Sequence, residues 1–286
     1  MKKLLAVVMS VVIAAAVMCP VLTASAAGDT DYTIVNPYET VDWDSWQYYK
    51  ANLHTHSVAS DGDETITDMV GLYYDAGYDI LALTDHGVVS HGWNLPRKTN
   101  GVFNYFRKAD PMSDEDYQRI TTGSDRGGRG MTDITGGIEI NMAVFSKTHV
   151  NGYFTEYGQG EWGIENDYRT APAKVEEMGG YSVLNHVGDW VNSNRYPERS
   201  HWDVFITYFA NIFKDYHTCL GMEIKNNTDN VTRADRALWD ELLQVVIPTG
   251  RNIWAFADDD SEYRNEVGRS FEYFVLPENT EEAVKT

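Results

Sequence analysis

Cysteine and basic residues are scarce in this 286-residue sequence. Its two cysteines are Cys19 and Cys219, and Cys19 lies in a segment that we expect to be removed, so an internal disulfide is excluded. The 23 Lys and Arg residues face 43 Asp and Glu residues, which gives a formal net charge of −20. Because phosphate backbones and anionic lipids attract basic proteins, this acidity argues against duplex nucleic acid and membrane surfaces as partners.

Long apolar runs are also scarce, and the clearest one lies near the N-terminus. The pair Lys2-Lys3, the apolar residues 4–18 and the small-residue motif Ala24-Ser25-Ala26 follow in the order typical of a secretory signal peptide. The run is shorter than the ~20 residues of a membrane span, so an uncleaved anchor is the weaker alternative. The bulky Met18 before Cys19 argues against lipidation. We expect residues 1–26 to be a signal peptide with cleavage near Ala26. The mature protein would then be secreted or extracytoplasmic, without a membrane span, and would have a charge of −22 once the two lysines are removed.

The rest of the chain repeats one pattern, a helix-like run followed by a Gly or Asn break, a short apolar strand and a polar residue. Its first instance is a helix predicted over 65–76, a break at Gly77 and a strand over 79–86. It recurs over 173–186 and 234–258, and 221–226 is a further predicted strand. Alternating helices and strands indicate parallel βα units, whose chemistry lies at the strand carboxyl ends. We therefore expect residues 27–286 to form a single α/β barrel domain.

Two segments depart from this pattern. Residues 87–137 form a predicted inserted loop region, which is either a lid or anion-reading loop or a solvated surface insertion. Its basic residues are Arg97, Lys98, Arg107, Lys108, Arg119, Arg126 and Arg129. Inside it, Ser113 to Asp116 has the pattern of a capping box that begins a short helix. Residues 277–286 have helix start signals with Asn279 as the expected cap, and the chain ends within about two turns, so we expect a truncated C-terminus.

Histidines and carboxylates collect at the predicted strand ends. His54 and His56 lie in an extended stretch, where alternate residues point to the same face, so both imidazoles can bind one cation. The other residues at or near strand ends are Asp61, His86, Glu139, His149 and His186. Three histidines lack such a context and are assigned surface or structural roles, namely His91, His201 and His217. Neighbouring carboxylates over 258–262 repel one another by about 1 kcal/mol per close pair even in water, so a metal is the expected counter-charge.

In their order along residues 49–262, these motifs resemble the PHP (polymerase and histidinol phosphatase) family of metal-dependent hydrolases. The resemblance implies a distorted (β/α)7 barrel with up to three divalent metals, Mn²⁺, Zn²⁺ or Fe²⁺, at the strand carboxyl ends. It implies one metal held by His54, His56, Glu139 and an aspartate of the terminal cluster. A second metal would share Glu139 and add His149 and His186, and a third would take Asp61, His86 and a last terminal residue. Glu139, Asp260 and His86 are then the expected catalytic residues.

The last ligand differs from the family pattern, which typically ends with Asp-x-His. Two registers fit this sequence, Asp258-x-Asp260 and Asp260-x-Glu262, so Asp258, Asp260 and Glu262 are all candidate ligands. The second register is preferred, and it leaves Glu262 where a histidine is expected. An oxygen ligand there would shift the third site toward harder metals such as Mn²⁺, or weaken it. Asp85 and Glu223 are expected to orient ligands rather than bind metal, although a surface role for Glu223 stays open.

The expected reaction is hydrolysis of a phosphomonoester or phosphodiester by a metal-activated hydroxide, on a small or glycan-linked substrate. Divalent metals suit it because they lower the pKa of water and neutralise phosphoryl oxygens. The sequence has no serine-hydrolase elbow, no phosphate-binding P-loop and no dinucleotide fingerprint. Arg251 and Arg264 near the terminal cluster would either contact phosphate or lie on the surface. Two alternatives remain, an amidohydrolase-like enzyme that cleaves an amide or carboxylic ester, and a noncatalytic metal-binding module.

Overall fold

The computed structural model describes residues 33, 35–98, 109–141, 147–160, 167–193, 202–228, 232 and 234–286. The predicted signal peptide lies outside these residues, as do Cys19, Arg107, Lys108 and His201. Among the described residues, no helix combines the length and the apolar character needed to cross a membrane.

Strands and helices alternate along most of the described chain. The strands are β1 (Gln47–Asn52), β2 (Ile80–Ala82), β3 (Thr132–Ile134), β4 (Ile138–Ile140), β5 (Val150–Tyr153), β6 (Tyr181–Leu184), β7 (Cys219–Asn226), β8 (Trp254–Asp258) and β9 (Glu272–Leu276). The helices are α1 (Ile66–Asp75), α2 (Asp114–Thr122), α3 (Thr170–Glu177), α4 (Val187–Ser193), α5 (Trp202–Asp215), α6 (Asp235–Val246) and α7 (Glu281–Lys285), with one 3₁₀ turn at Arg264–Glu266. The α/β class predicted from the sequence is confirmed.

The strands of the described chain form two mixed sheets, and the predicted (β/α)7 barrel is not confirmed. In the first sheet, of order β3-β2-β1-β9, three strands are parallel and β9 runs antiparallel to β1. In the second sheet, of order β4-β5-β6-β7-β8, β5 is antiparallel to both of its neighbours. The chain from β4 to β5 is limited to residues 141–149, which is shorter than the dozen or so residues of a parallel crossover. Single bridges, Thr55 to Ser261 and His86 to Glu139, link the two sheets without closing a barrel.

Of the two helix caps predicted from the sequence, Ser113 is confirmed and Asn279 is not. The helix predicted over 65–76 is α1, and the hydroxyl of Thr65 accepts a hydrogen bond from the N–H of Asp68 and caps it. Ser113 caps α2 in the same way, inside the predicted insertion, which also contributes strand β3. The cap of α7 is Thr280 rather than Asn279. The Asn279 amide donates instead to the carbonyls of Asp79 and Gly130, and so ties the last turn of the chain to the first sheet.

Apolar layers hold the sheets in place around the polar strand ends. Met69 and Tyr73 of α1 pack with Leu81 behind the first sheet, and all three are fully buried. Helices α5 and α6 cover the second sheet through a cluster that includes Phe209 and Leu242. Burial of each such side chain contributes roughly 1.5–3 kcal/mol, so the strand ends project from a rigid frame.

Candidate metal centre

The predicted ligands lie on one edge of the two sheets. His54 and His56 follow β1, His86 follows β2, and His186 follows β6, each past the carboxyl end of its strand. His149 instead precedes β5. Because β5 runs antiparallel to β4 and β6, its first residue lies at the edge where those strands meet the other ligands. If β5 were parallel to its neighbours, His149 would lie at the opposite edge of the sheet, because it precedes the strand.

Glu139, in the middle of β4, is the centre of the cluster and is fully buried. Its Oε2 lies 3.2 Å from the Nε2 atoms of His54 and His56 and 3.2 Å from Nδ1 of His86. Its Oε1 lies 3.3 Å from Nδ1 of His149 and 3.4 Å from Nε2 of His186. One carboxylate therefore faces two groups of imidazoles, a different oxygen to each, which is the arrangement of a bridging ligand.

Asp260 repeats this arrangement from the other side. Its Oδ1 lies 3.1 Å from Nε2 of His54 and 3.0 Å from Nε2 of His56, and its Oδ2 lies 4.0 Å from Nε2 of His186. Three sets of side chains have donor atoms within 4.8 Å of one another and could hold an ion. They are His54 with His56, Glu139 and Asp260; His56 with Asp61 and His86; and His86 with Glu139 and His149.

The other two aspartates of the terminal cluster point away from the histidines. Asp258 Oδ1 accepts the backbone N–H of Leu53 at 2.6 Å, and burial followed by the charge of Glu223 raises the pKa of Asp258 to about 8. Asp259 accepts backbone N–H groups of Gly268 and Ser270. Of the two registers, this geometry favours the one in which Asp260 is the first ligand.

Glu262 lies near Asp61 rather than inside one of the three sets. Burial and then the charge of Asp61 raise the pKa of Glu262 to about 7. In the set of His56, Asp61 and His86, the carboxylate of Asp61 lies 3.3 Å from Nδ1 of His56 and 3.5 Å from Nε2 of His86. Burial opposes ionisation of Asp61, but these two imidazoles outweigh it and lower the pKa of Asp61.

The cluster fits divalent cations. Oε2 of Glu139 and Nδ1 of His86 are buried and lie 3.2 Å apart, yet neither makes a hydrogen bond of acceptable geometry with a described residue, which is costly unless a cation binds there. Burial lowers the pKa of the His54 imidazole, but Asp260, Glu139 and Glu223 outweigh it, so its pKa lies well above the ordinary value. Imidazole nitrogens and carboxylate oxygens together are donors that suit Zn²⁺, Mn²⁺ and Fe²⁺. A divalent cation can therefore bind the lone pairs of these nitrogens and oxygens, which in its absence are balanced by protons on the imidazoles.

Strained backbone and buried amides hold these ligands. The residues at the site with positive φ are Asn141 (78°), His186 (27°), Asn227 (41°) and Asp260 (45°). Such conformations cost of order 1–3 kcal/mol each and tend to occur at functional sites. The Asn185 amide donates to Oε1 of Glu139 at 2.8 Å, and the Asn226 amide donates to Oδ2 of Asp260 at 2.9 Å. Asn226 was not predicted as a functional residue, although its place at the end of a predicted strand was a usable signal.

The two acids expected to orient ligands have different positions. Glu223 is fully buried, which excludes the surface role, and its Oε1 lies 2.6 Å from Nδ1 of His54. Asp85 makes its hydrogen bonds to serines rather than to any of the described histidines. Its Oδ1 accepts the N–H of Ser57 at 2.7 Å and the hydroxyl of Ser60 at 2.9 Å, so it fixes the loop after His56.

A cavity of about 420 Å³ opens above the cluster. Carboxylates, amides and a hydroxyl line it together with the imidazoles. The lining residues are His56, His86, Glu139, His149, His186, Asp189, Asn226, Asn227, Thr228, Asp260, Glu262 and Glu266. Its volume lies in the range of small-molecule sites.

The basic residues considered as phosphate contacts bind protein groups elsewhere. Arg251 donates to the carbonyls of Phe213, His217 and Cys219, near the N-terminal end of β7, and Arg264 pairs with Glu64 at 2.6 Å. In the predicted insertion, Arg126 and Arg129 pair with Asp79, Arg119 pairs with Asp125, and Arg97 donates to the carbonyl of Gly92. Asp79 precedes β2 whereas His86 follows it, so Arg126 and Arg129 lie at the far edge of the sheet. Of the described histidines without a predicted metal role, His91 pairs with Glu156 at 2.8 Å and His217 is exposed.

Solved structures of similar fold come from several bacteria. A two-domain protein of Bacteroides vulgatus, which contains a predicted PHP-like metal-dependent phosphoesterase, matches with a TM-score of 0.51 and 18% identity over 89% of this chain and 64% of its own. This chain therefore spans less than two thirds of that protein. A Bifidobacterium adolescentis protein described as a metal-dependent phosphoesterase matches with a TM-score of 0.42 and 13% identity over 77% of this chain and 91% of its own. An amidohydrolase from Chromobacterium violaceum matches with a TM-score of 0.39 and 14% identity over 80% of this chain and 93% of its own.

A search of curated proteins finds no match for this chain. The family model of the PHP domain matches residues 52–250, which is more than half of the chain. The matched range includes His54, His56, Glu139 and His186, whereas Asp260 lies beyond it. With this match, the chain belongs to the PHP domain family.

Proposed function

We propose that this protein is a metal-dependent phosphoesterase that hydrolyses a small or glycan-linked phosphomonoester or phosphodiester. The observation that carries the proposal is the position of Glu139, buried between five imidazoles at 3.2–3.4 Å at the base of an open cavity. Membership of the PHP domain family supports the same reaction class.

Divalent cations held by this cluster would lower the pKa of a water molecule and neutralise the phosphoryl oxygens. The chain's own residues set where that chemistry takes place. Glu139 and Asp260 each present one oxygen to His54 and His56 and the other toward His186, so they fix the spacing between two cation positions. His56, Asp61 and His86 form a further position, with Glu262 nearby as an oxygen donor. Mn²⁺, Zn²⁺ and Fe²⁺ are the proposed metals.

The cavity supports a compact substrate. Asn226, Asn227 and Thr228 line one wall with neutral polar side chains, and the carboxylates of Asp189 and Glu266 also line the cavity, paired with Lys147 and Arg269. Neutral hydroxyl-bearing groups suit this lining better than further phosphates do, which argues against long polyanions such as duplex nucleic acid. A sugar or another polyol attached to the reacting phosphate fits these groups.

We further propose that the protein acts outside the cytoplasm, because residues 1–26 have the sequence pattern of a signal peptide. The proposal predicts a mature N-terminus near residue 27 when the full chain is expressed in a bacterial host and the exported fraction is sequenced. Recovery of the intact N-terminus in the cytoplasm alone would overturn it.

The reaction is tested with the purified chain. Metals are counted by elemental analysis, and p-nitrophenyl phosphate, bis-p-nitrophenyl phosphate and p-nitrophenyl acetate are assayed with Mn²⁺ or Zn²⁺. Phosphoester turnover that is lost in His54→Ala and Glu139→Gln, and kept in the controls His91→Ala and Glu156→Gln, supports the proposal. The control residues form a solvent-accessible His–Glu pair outside the three metal sets. Turnover of the carboxylic ester alone favours the amidohydrolase-like reaction, and bound metal without any turnover favours a noncatalytic module.

A further inference from the structure

Glu223 of β7 lies behind the histidines, on the side away from Glu139. Its Oε1 lies 2.6 Å from Nδ1 of His54. Its Oε2 accepts the backbone N–H of His186 at 2.7 Å and the side-chain amide of Asn226 at 3.1 Å. All four residues are buried. A single carboxylate therefore contacts elements from three different strand ends.

This contact orients the ring of His54. Oε2 of Glu223 accepts two N–H groups, which leaves Oε1, at 2.6 Å, as the acceptor that faces Nδ1 of His54. With the proton on Nδ1, a cation can bind at Nε2, which points to Oε2 of Glu139 at 3.2 Å and Oδ1 of Asp260 at 3.1 Å. With the opposite tautomer, an N–H group would occupy the space where a cation has to bind.

We propose that Glu223 is a positioning residue that couples the two halves of the metal centre. Through Oε1 it orients His54, whose Nε2 faces Oε2 of Glu139. Through Oε2 it holds the backbone of His186, whose Nε2 faces Oε1 of Glu139. Glu139 contacts both His54 and His186 on one side. Glu223 thus connects the same two residues from the opposite side. The proposal rests on metal binding, which is one part of the proposed function, and is independent of the substrate.

The backbone around the site needs such support. His186 has a φ of 27° and Asp260 a φ of 45°, conformations that a side chain with a Cβ atom rarely adopts. The N–H of His186 is fixed directly by Glu223. Asp260 is fixed through Asn226, whose amide donates both to Glu223 and, at 2.9 Å, to Oδ2 of Asp260. Loss of the Glu223 carboxylate would therefore release ligands on both sides of Glu139.

Two substitutions separate the roles of the two oxygens. In Glu223→Gln the single oxygen can still accept from His186 and Asn226, but the amide NH₂ then faces Nδ1 of His54 and favours the wrong tautomer. In Glu223→Ala both contacts are lost. Removal of groups that orient metal ligands typically weakens metal binding 10–100-fold. We expect a loss of this size for one equivalent of metal in Glu223→Gln and for two equivalents in Glu223→Ala.

The control is Glu272→Gln on β9, a strand of the first sheet. Its Oε2 accepts the backbone N–H of Ala257 rather than contacting a histidine, and its Oε1 is buried as well. The apo forms of the full chain and of the three variants are titrated with Zn²⁺ in competition with a chromophoric chelator. Imidazole ¹⁵N shifts of the Zn²⁺-loaded chain report the tautomer of His54 directly, and this measurement needs no variant.

The proposal predicts wild-type affinity in Glu272→Gln, the stated losses in the Glu223 variants, and a protonated Nδ1 on His54. Wild-type affinity in Glu223→Gln overturns it, and so does an equal loss in Glu272→Gln, which would mark a general effect of buried acids. If the Glu223 variants fail to fold, a bare Nδ1 on His54 in the wild-type spectrum overturns it and a protonated one supports it. A wild-type chain that binds no Zn²⁺ overturns this proposal together with the proposed function, whereas failure of phosphoester turnover alone leaves it intact.

Discussion

The Nε2 atoms of His54 and His56 face each other at 3.2 Å, and both rings are buried. Two imidazole nitrogens at this distance repel unless a proton or a metal ion lies between or beside them. Oε2 of Glu139 and Oδ1 of Asp260, each within 3.2 Å of both nitrogens, favour positive charge at the same point. A divalent cation satisfies all four groups at once, whereas one proton satisfies a single pair.

Removal of metal is therefore expected to destabilise the protein. A ligand that binds only the folded state, and is present at a free concentration of 100 times its Kd, adds about 2.7 kcal/mol to the free energy of unfolding. For a chain of this size each kcal/mol shifts Tm by roughly 2–4 °C, so a chelator should lower Tm by ~5–10 °C. Differential scanning fluorimetry with and without Mn²⁺ or Zn²⁺ measures this shift. The Tm of Glu139→Gln should differ little between the two conditions. A wild-type Tm that changes with neither metal nor chelator contradicts the prediction.

The terminal aspartates should differ sharply on substitution. Asp260→Asn removes a charged ligand that faces His54 and His56, so we expect at least a 10-fold loss of metal affinity. Asp258→Asn replaces a carboxyl whose pKa is raised to about 8, and the new side chain can still accept the N–H of Leu53. We expect metal affinity within about 3-fold of wild type. Isothermal titration with Zn²⁺ measures the metal affinity of both variants. A larger loss in Asp258→Asn than in Asp260→Asn would show that the Asp258-x-Asp260 register binds metal.

Glu262 should bias the choice of metal. In the preferred register it takes the place where the family pattern is expected to have a histidine, and carboxylate oxygens favour Mn²⁺ over Zn²⁺ relative to imidazole. We expect Glu262→His to increase the ratio of Zn²⁺ to Mn²⁺ bound when both are supplied in excess, measured by elemental analysis. Glu266→His, at another residue lining the cavity, is the control. An unchanged ratio would indicate that Glu262 takes no part in metal choice.

The sequence predicted which side chains cluster better than it predicted the architecture that brings them together. His54, Glu139 and His186 could be selected because each is a metal-binding type next to a short apolar run, which is a local property. The direction of β5 is not local, and no prediction of it was made, because periodicity does not report which way a strand pairs. Asn226 was overlooked because an amide at a strand end gains its meaning only from Glu223 and Asp260, which approach it from elsewhere in the chain.

A buried acid away from the metal centre gives the last prediction. Asp133 of β3 accepts the N–H of Trp93 at 2.7 Å, its other oxygen is buried without a hydrogen-bond partner among the described residues, and burial raises its pKa to about 7. In the unfolded chain the pKa of an aspartate is about 3.9. Between about pH 4 and pH 7 the folded state therefore binds one proton more than the unfolded state does. The stability that this protonated carboxyl contributes is complete below about pH 4 and is lost as the pH rises to about 7.

Asp133→Asn cannot ionise and should escape this loss. Its free energy of unfolding relative to wild type is expected to rise by ~2–3 kcal/mol between pH 5 and pH 8, since each pKa unit corresponds to about 1.4 kcal/mol. Urea unfolding followed by tryptophan fluorescence at both pH values measures the difference. The exposed Asp110→Asn is the matched control and should track the wild type at both. If Asp133→Asn also tracks the wild type, then Asp133 is ionised in the folded protein at neutral pH and finds its counter-charge in the guanidinium of the buried Arg97.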